Sequence, residues 1–105
     1  MRKTLVEIEA QLSQMKDILS DDGFTIEGIF GSYARAEEDD ASDVDLLYHL
    51  EAKFFEKYRG FIGFKRLEEI KAYISDALGM PVDLVASNNL TRTGKKYILK
   101  DLVSV

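Results

Sequence analysis

The sequence predicts a small α/β (α+β) fold, in which helices lie mainly on one face of a mixed β-sheet. Two observations predict it. Apolar residues recur at helical spacing in two separate segments, and segments rich in β-branched and aromatic residues alternate with them along the chain. A chain of 105 residues can bury one modest core. We therefore expect a single domain over residues 1–105.

The first half of the chain predicts one long helix and two strands. The helix carries an apolar stripe at three- and four-residue intervals, formed by Leu5, Ile8, Leu12, Met15 and Leu19. Gly23 ends it, and a strand follows over 24–30. Strict alternation places Phe24, Ile26 and Phe30 on one face of that strand and Thr25, Glu27 and Ile29 on the other. Three elements complete this half: a short helix over 33–38 that Ser32 caps, a polar turn over 39–42 and a second strand over 43–50.

The second half begins with a segment, 51–63, in which Gly60 and Gly63 favour a loop. A helix is expected from Phe64, and its apolar stripe is Leu67, Ile70, Ile74 and Leu78. Pro81 opens a third strand over 82–86, at a position compatible with a sheet edge. A last helix is expected from Asn88 or Asn89 to about Lys100, and a short strand over 102–105.

Composition excludes several classes of protein. The net charge is −5 and no basic stripe is present, so nucleic acid is not an expected partner. Cysteine is absent, which excludes disulfides and thiolate metal sites. No run approaches the about 18 apolar residues of a membrane span, and Glu7 and Glu9 interrupt any apolar signal segment. The expected location is the cytoplasm.

Two carboxylates at the start of the second strand are candidate metal ligands. Asp43 and Asp45 are two residues apart, so their side chains leave the same face of the strand. Asp83 on the third strand joins them if the two strands are neighbours in register. Three such carboxylates can hold two Mg²⁺ ions, or Mn²⁺, for phosphoryl or nucleotidyl transfer. The alternative is that Asp43 and Asp45 are ordinary turn residues, because aspartate is common at strand starts. The acidic run Glu37–Asp40 is interpreted as solvated.

A turn between the first strand and the next predicted helix is a candidate phosphate site. Gly31 lets the backbone approach a phosphate closely, and Ser32 adds a hydroxyl at the beginning of the helix, where free N–H groups favour anions. A Gly-Ser turn is common, so this signal is weak when it is taken alone.

The combined motif is much more specific. Gly31-Ser32, ten residues and Asp43-Val44-Asp45 resemble the signature of the DNA polymerase β-like nucleotidyltransferases. The longer string GSYARAEEDDASDVDLL resembles the minimal nucleotidyltransferases (MNT) of bacteria and archaea, and the resemblance extends to the segment that carries Asp83. Ala36 departs from the motif, which usually has Gly there; we expect it to favour helix and to narrow the nucleotide pocket without abolishing activity.

The resemblance implies a role for each matching residue. Gly31 and Ser32 hold the nucleoside triphosphate, and Arg35 lies near phosphate or braces the acidic loop. Asp43 and Asp45 ligate both metal ions. Asp83 ligates the metal ion that activates the acceptor hydroxyl and takes the hydroxyl proton.

The resemblance also implies a function. A metal-dependent nucleotidyltransferase of this kind transfers AMP from ATP to a tyrosine of an α-helical HEPN toxin and so acts as its antitoxin. Two alternatives stay open: a binding module that neutralises a HEPN partner by contact alone, and an enzyme that modifies a small molecule. The small-molecule enzyme requires an acceptor-binding domain, which 105 residues do not supply unless a dimer provides it. A homo- or hetero-oligomer is compatible with all three.

Three other features have structural and functional interpretations. His49, the only histidine, is expected to be structural or at a partner contact rather than a general base. The aromatic residues of 54–64 favour a partner contact over the core; they are Phe54, Phe55, Tyr58, Phe61 and Phe64. Lys95, Lys96 and Lys100 fit either a phosphate-attracting surface or an ordinary solvated helix face.

Overall fold

The computed structural model describes residues 3–37 and 43–105. The predicted polar turn over 39–42, and Glu38 of the predicted short helix, lie outside these residues. The helices are α1 (Leu5–Ser20), α2 (Ala52–Lys57), α3 (Phe61–Leu78) and α4 (Arg92–Leu99). The strands are β1 (Phe24–Phe30), β2 (Val44–Leu50), β3 (Val82–Ala86) and β4 (Val103–Ser104).

The four strands form one mixed sheet in the order β3-β2-β1-β4. Strand β2 is parallel to β3 and antiparallel to β1, and β1 is also antiparallel to β4. Helices α1 and α3 pack on one face of this sheet, where their buried residues form one core with Val44, Leu46 and Tyr48 of β2. The predicted fold class is confirmed, including the edge position of β3 and the terminal strand.

The two predicted apolar stripes form the helix side of the core. In α1, Ile8, Leu12, Met15 and Leu19 are buried, and in α3 the buried members of the stripe are Ile70, Ile74 and Leu78. Helix α1 begins after Thr4, whose hydroxyl oxygen accepts a hydrogen bond of 3.2 Å from the Glu7 N–H. Both stripes are confirmed.

A β-bulge in β1 contradicts the strict alternation that the sequence predicted. Ile26 lies opposite Tyr48, but Gly28 lies opposite Leu47, so Glu27 is an extra residue in β1. Beyond the bulge the two faces exchange. Ile29 is therefore fully buried in the core, and Phe30 faces the other side of the sheet, opposite Asp45.

The predicted loop over 51–63 is wrong, because this segment forms α2 and the first turn of α3. Phe54 of α2 is buried in the core. Gly60 precedes α3 with a φ of +58°, a left-handed conformation in which the chain turns into the helix. Gly63 lies in the first turn of α3, where this helix passes close to the residue that ends α2: a Cβ on Gly63 would lie 2.9 Å from the carbonyl oxygen of Tyr58.

An ion-pair network around Asp22 holds α2 and α3 beside the end of α1. The Asp22 carboxylate accepts hydrogen bonds from Lys57 Nζ at 2.8 Å, Tyr58 Oη at 3.0 Å and Arg66 Nε at 3.0 Å. Burial by itself would raise the pKa of Asp22, but these hydrogen bonds outweigh it and lower the pKa from 3.8 to about 2. The network therefore stabilises the folded chain when Asp22 is ionised.

The last helix begins later than predicted. Residues Ser87–Asn89 form a single 3₁₀ turn, and α4 begins after Thr91, whose hydroxyl oxygen accepts a 3.0 Å hydrogen bond from the Gly94 N–H. Asn88 does not cap this helix, because its side chain bonds the backbone N–H and C=O of Leu50 instead. Among the described helices, none combines the length and the apolarity that a membrane crossing requires.

Candidate active site

Asp45 and Asp83 lie side by side on the sheet face opposite the main core. They are register partners in the parallel pair β2–β3, so their side chains leave the same face. Asp43 immediately precedes β2 and, two residues from Asp45, is placed toward the same face. The predicted register is thus confirmed. Asp45 and Asp43 are partly buried, whereas Asp83 on the edge strand is exposed.

The electrostatics of Asp45 show that the three carboxylates affect one another. Burial raises the pKa of Asp45, and the negative charges of Asp83 and Asp43 raise it further. The positive charge of Arg35 opposes this rise. The ionised Asp45 therefore lies in an excess of negative charge, which a bound cation would relieve.

Gly31 closes one side of this carboxylate group. It immediately follows β1 with a φ of +78°, and a Cβ at this position would overlap Oδ2 of Asp45. Glycine is required here for two reasons: the backbone is left-handed, and there is no room for a side chain. Only glycine brings the predicted phosphate-binding backbone this close to the predicted metal ligand.

The residues after Gly31 form one helical turn instead of the predicted short helix. The Glu37 N–H bonds the Ser32 carbonyl at 2.8 Å and the Ala36 N–H bonds the Tyr33 carbonyl at 3.2 Å. This pair of bonds is a Schellman motif, which ends a helix. The buried side chain of Tyr33 anchors the turn in the core.

Ala36 occupies the left-handed position of that motif, with a φ of +58°. The expectation that alanine favours helix here is therefore wrong, because this backbone is not helical. An L-residue in the left-handed region costs about 1–2 kcal/mol, which explains why glycine suits this place in the motif. The side chain of Ala36 is exposed; its effect on the nucleotide pocket stays a prediction.

Arg35 is held at the surface by two carboxylates. Its Nε lies 3.1 Å from Oε2 of Glu37, and its Nη1 lies 3.3 Å from Oδ2 of Asp101. The contact with Glu37 agrees with a bracing role at the beginning of the acidic segment. Asp101, which follows α4, was not found by sequence reasoning, because 66 positions separate it from Arg35 and no local pattern marks it.

Asp43, Asp45 and Asp83 fit a hard divalent cation by their oxygen donors and by their shared face. Within residues 3–37 and 43–105, no group of three His, Asp or Glu side chains is arranged so that it could hold a metal ion. The three aspartates fit the ion by the type of their donor atoms and by the sheet face that Asp45 and Asp83 share.

The other singled-out residues do not belong to this carboxylate group. His49 lies between Glu27 and Glu51, with nitrogen–oxygen distances of 3.5 and 3.7 Å, an arrangement compatible with a structural role. In the aromatic segment, Phe54 is buried, so a contact role for it is wrong. Phe55, Phe61 and Phe64 are 54%, 86% and 61% exposed, and their contact role stays a prediction. Lys95, Lys96 and Lys100 are exposed on and just after α4.

The fold and the site together define a nucleotidyltransferase. The chain belongs to the family "Polymerase beta, Nucleotidyltransferase", whose model matches residues 13–104. Its sheet and helices are also similar to the solved "Structure of putative minimal nucleotidyltransferase", with a TM-score of 0.74 and 25% identity over 98% of this chain and 97% of that one. The resemblance to minimal nucleotidyltransferases is confirmed.

Two curated relatives match nearly the whole chain. "Putative protein adenylyltransferase MJ1217" of Methanocaldococcus jannaschii is 37% identical over 98% of this chain and 99% of its own length. "Protein adenylyltransferase MntA" of Thermococcus cleftensis is 38% identical over 97% of this chain and 96% of its own length. The chain is thus an enzyme of the nucleotidyltransferase class, with relatives named for the adenylylation of proteins.

Proposed function

We propose that this chain is a metal-dependent protein adenylyltransferase that transfers AMP from ATP to a hydroxyl group of a partner protein. The observation that carries the proposal is the in-register pair Asp45–Asp83, with Gly31 directly against Asp45. The names of the relatives support the same reaction.

Each residue of the site has a role in this proposal. Asp43 and Asp45 would hold two Mg²⁺ ions, or Mn²⁺, and Asp83 would share the one nearer the acceptor. Bound there, the ions neutralise negative charge on the phosphates. Gly31 and Ser32 bind the triphosphate through the backbone and the hydroxyl group, and Arg35 adds a positive charge at the same end of the site.

The reaction is an in-line displacement at phosphorus. The acceptor oxygen attacks the α-phosphorus, the bond between that phosphorus and the bridging oxygen of the β-phosphate breaks, and pyrophosphate leaves. Asp83, the most exposed of the three carboxylates, receives the hydroxyl proton and passes it to solvent. Orientation of the two substrates accounts for much of the acceleration.

The acceptor in this proposal is a tyrosine of a HEPN toxin, and its modification is the antitoxin activity. A protein acceptor is supported by the exposed aromatic residues Phe55, Phe61 and Phe64, which offer a contact surface on α2 and at the beginning of α3. AMP on the toxin would then persist after the two proteins separate.

The test uses the chain together with the product of the neighbouring open reading frame, which this proposal expects to be a HEPN protein. After incubation with ATP and Mg²⁺, intact mass spectrometry of the partner should show the gain of AMP. Asp83→Asn should abolish this gain while the two proteins still co-purify, whereas the matched control Asp76→Asn, an exposed aspartate of α3, should leave it unchanged. A partner that is inhibited but never modified would show neutralisation by contact. AMP on a small molecule instead of the protein would show the other alternative.

A further inference from the structure

Asp101 contacts Arg35 from the far end of the chain. Its Oδ2 lies 3.3 Å from Nη1 of Arg35, although 66 positions separate the two residues. Asp101 lies outside the motif that carries Arg35, and it is not one of the predicted metal ligands. The fold, rather than the motif, therefore brings this carboxylate to the guanidinium group.

The strand that follows Asp101 fixes it to the sheet. Val103 of β4 pairs with Ile29, near the end of β1. The Val105 N–H then donates a hydrogen bond of 3.1 Å to the Glu27 carbonyl oxygen. The helix before Asp101 is less firmly held, because none of the residues of α4 is buried. The position of Asp101 is therefore set mainly by β1.

The same end of β1 positions Arg35. The Arg35 N–H donates a hydrogen bond of 3.1 Å to the carbonyl oxygen of Gly31, the residue that follows β1. Gly31 in turn lies directly against the carboxylate of Asp45. The contact between Arg35 and Asp101 thus joins two segments that are both attached to β1 beside the predicted nucleotide and metal site.

The two carboxylates that contact Arg35 hold it in different ways. Glu37 belongs to the same turn, two positions away, and its side chain is 64% exposed, so it moves with that turn. The side chain of Asp101 is only 27% exposed and is joined to the sheet. Asp101 is therefore the contact that limits the orientation of the guanidinium group relative to the sheet. These two hydrogen bonds do not use all the N–H donors of an arginine, so the group can also bind a phosphate.

Orientation matters more here than stability. An ion pair at the protein surface contributes little to the free energy of unfolding. The binding of phosphate by arginine, in contrast, depends on the plane of the guanidinium group, because its N–H donors form a fixed fork. A side chain that is already held in that plane loses less freedom when the ligand binds.

We infer that Asp101 is a positioning residue for ATP, which holds the Arg35 guanidinium group in the orientation that binds the phosphates. The inference rests on the proposed function, in which Arg35 meets the triphosphate. Its effect has a sign that distinguishes it from simple charge. Removal of a negative charge near an anion site should tighten ATP binding, whereas loss of a positioning contact should weaken it.

The test is the Kd for ATP with Mg²⁺, measured by calorimetry without the partner protein. Asp101→Ala should raise this Kd by about fivefold. Asp101→Asn, which keeps an oxygen acceptor and loses the charge, should raise it less. The matched control Asp76→Ala, which removes the same charge from an exposed position of α3, should leave it unchanged. The free energy of unfolding of Asp101→Ala in urea should stay close to that of the unmodified chain.

A second variant shows whether Asp101 acts through Arg35. Arg35→Ala alone should raise the Kd for ATP by about 30-fold, because a charged hydrogen-bond donor to phosphate is lost. Asp101→Ala added to Arg35→Ala should cause no further increase, since the group that Asp101 positions is then absent. A merely structural role at the end of α4 would instead multiply the two effects.

The outcomes separate the two proposals. If the unmodified chain transfers no AMP to the partner, the proposed function fails and the inference fails with it. If the chain transfers AMP but Asp101→Ala binds ATP as tightly as the unmodified chain, or more tightly, the positioning role is refuted and the proposed function stands. An equal weakening by Asp101→Ala with and without Arg35 would likewise overturn the positioning role alone.

Discussion

Gly31→Ala should damage the site far more than it damages the fold. Alanine at a φ of +78° costs about 1–2 kcal/mol relative to glycine, and the lower entropy of the unfolded chain offsets about 0.4–1 kcal/mol of this. The new Cβ also overlaps Oδ2 of Asp45, so the carboxylate has to rotate away from its preferred position. An off-rotamer side chain costs about 0.5–1.5 kcal/mol. The expected loss in the free energy of unfolding is about 2 kcal/mol.

Gly79→Ala is the matched control. Gly79 has a φ of +71° at the end of α3, and a Cβ there meets no atom within 4 Å. This variant should therefore lose only the backbone contribution, about 1 kcal/mol, which leaves about 1 kcal/mol for the collision with Asp45 in Gly31→Ala. Urea unfolding of both variants measures the difference.

The catalytic effect should be much larger than the difference in stability. A displacement of about 1 Å at a reacting group can cost about 100-fold in rate, and the rotation of Asp45 away from Asp83 is a change of that kind. We expect Gly31→Ala to lower AMP transfer by about 100-fold and Gly79→Ala to leave it nearly unchanged under conditions in which both are folded. Equal activities of the two folded variants would refute the role given to the contact between Gly31 and Asp45.

Three further predictions concern single residues. Asp45→Asn should weaken Mg²⁺-dependent ATP binding in calorimetry without lowering the free energy of unfolding. The reason is that burial and the neighbouring carboxylates raise the pKa of Asp45 and so oppose its charge. A lower free energy of unfolding would contradict this prediction. Asp22 has a folded pKa of about 2, below its usual 3.8, so its stabilisation of about 2 kcal/mol is present above pH 3.8 and is lost as the pH falls toward 2. Asp22→Asn should remove that pH dependence in acid unfolding, and its exposed neighbour Asp21→Asn should keep it. Ala36→Gly should raise the free energy of unfolding by about 0.5–1 kcal/mol, since glycine relieves the left-handed strain; no increase in urea unfolding would show that this strain is negligible.

Local patterns predicted the elements that place the carboxylates. The 3,4 spacing in α1 and α3 defined which helix faces are buried, and the alternation in β2 placed Asp43 and Asp45 together. The pairing of Asp45 with Asp83 required one further assumption, that β2 and β3 are neighbours in register, which the structure confirms. Most of the candidate site was therefore accessible from sequence.

The failures have tertiary causes. The bulge at Glu27 depends on the pairing of β1 with its neighbours: a Cβ at Gly28 would overlap the Val103 carbonyl oxygen, and no local pattern indicates that approach. Gly63 is helical although glycine favours a loop, and the close approach of α3 to the Tyr58 carbonyl leaves no room there for a side chain. Asp101 reaches Arg35 from the end of the chain, a contact that only the folded structure brings together.

The most direct test of the central claim is the fate of the α-phosphate of ATP. The chain is incubated with its partner, Mg²⁺ and ATP that carries the radiolabel on either the α- or the γ-phosphorus. If Asp43, Asp45 and Asp83 form a nucleotidyl transfer site, the α-label should appear on the partner, the γ-label should appear only in pyrophosphate, and Asp45→Asn should abolish both. Transfer of the γ-label to the partner, or transfer of the α-label that survives Asp45→Asn or excess chelator, would contradict the account.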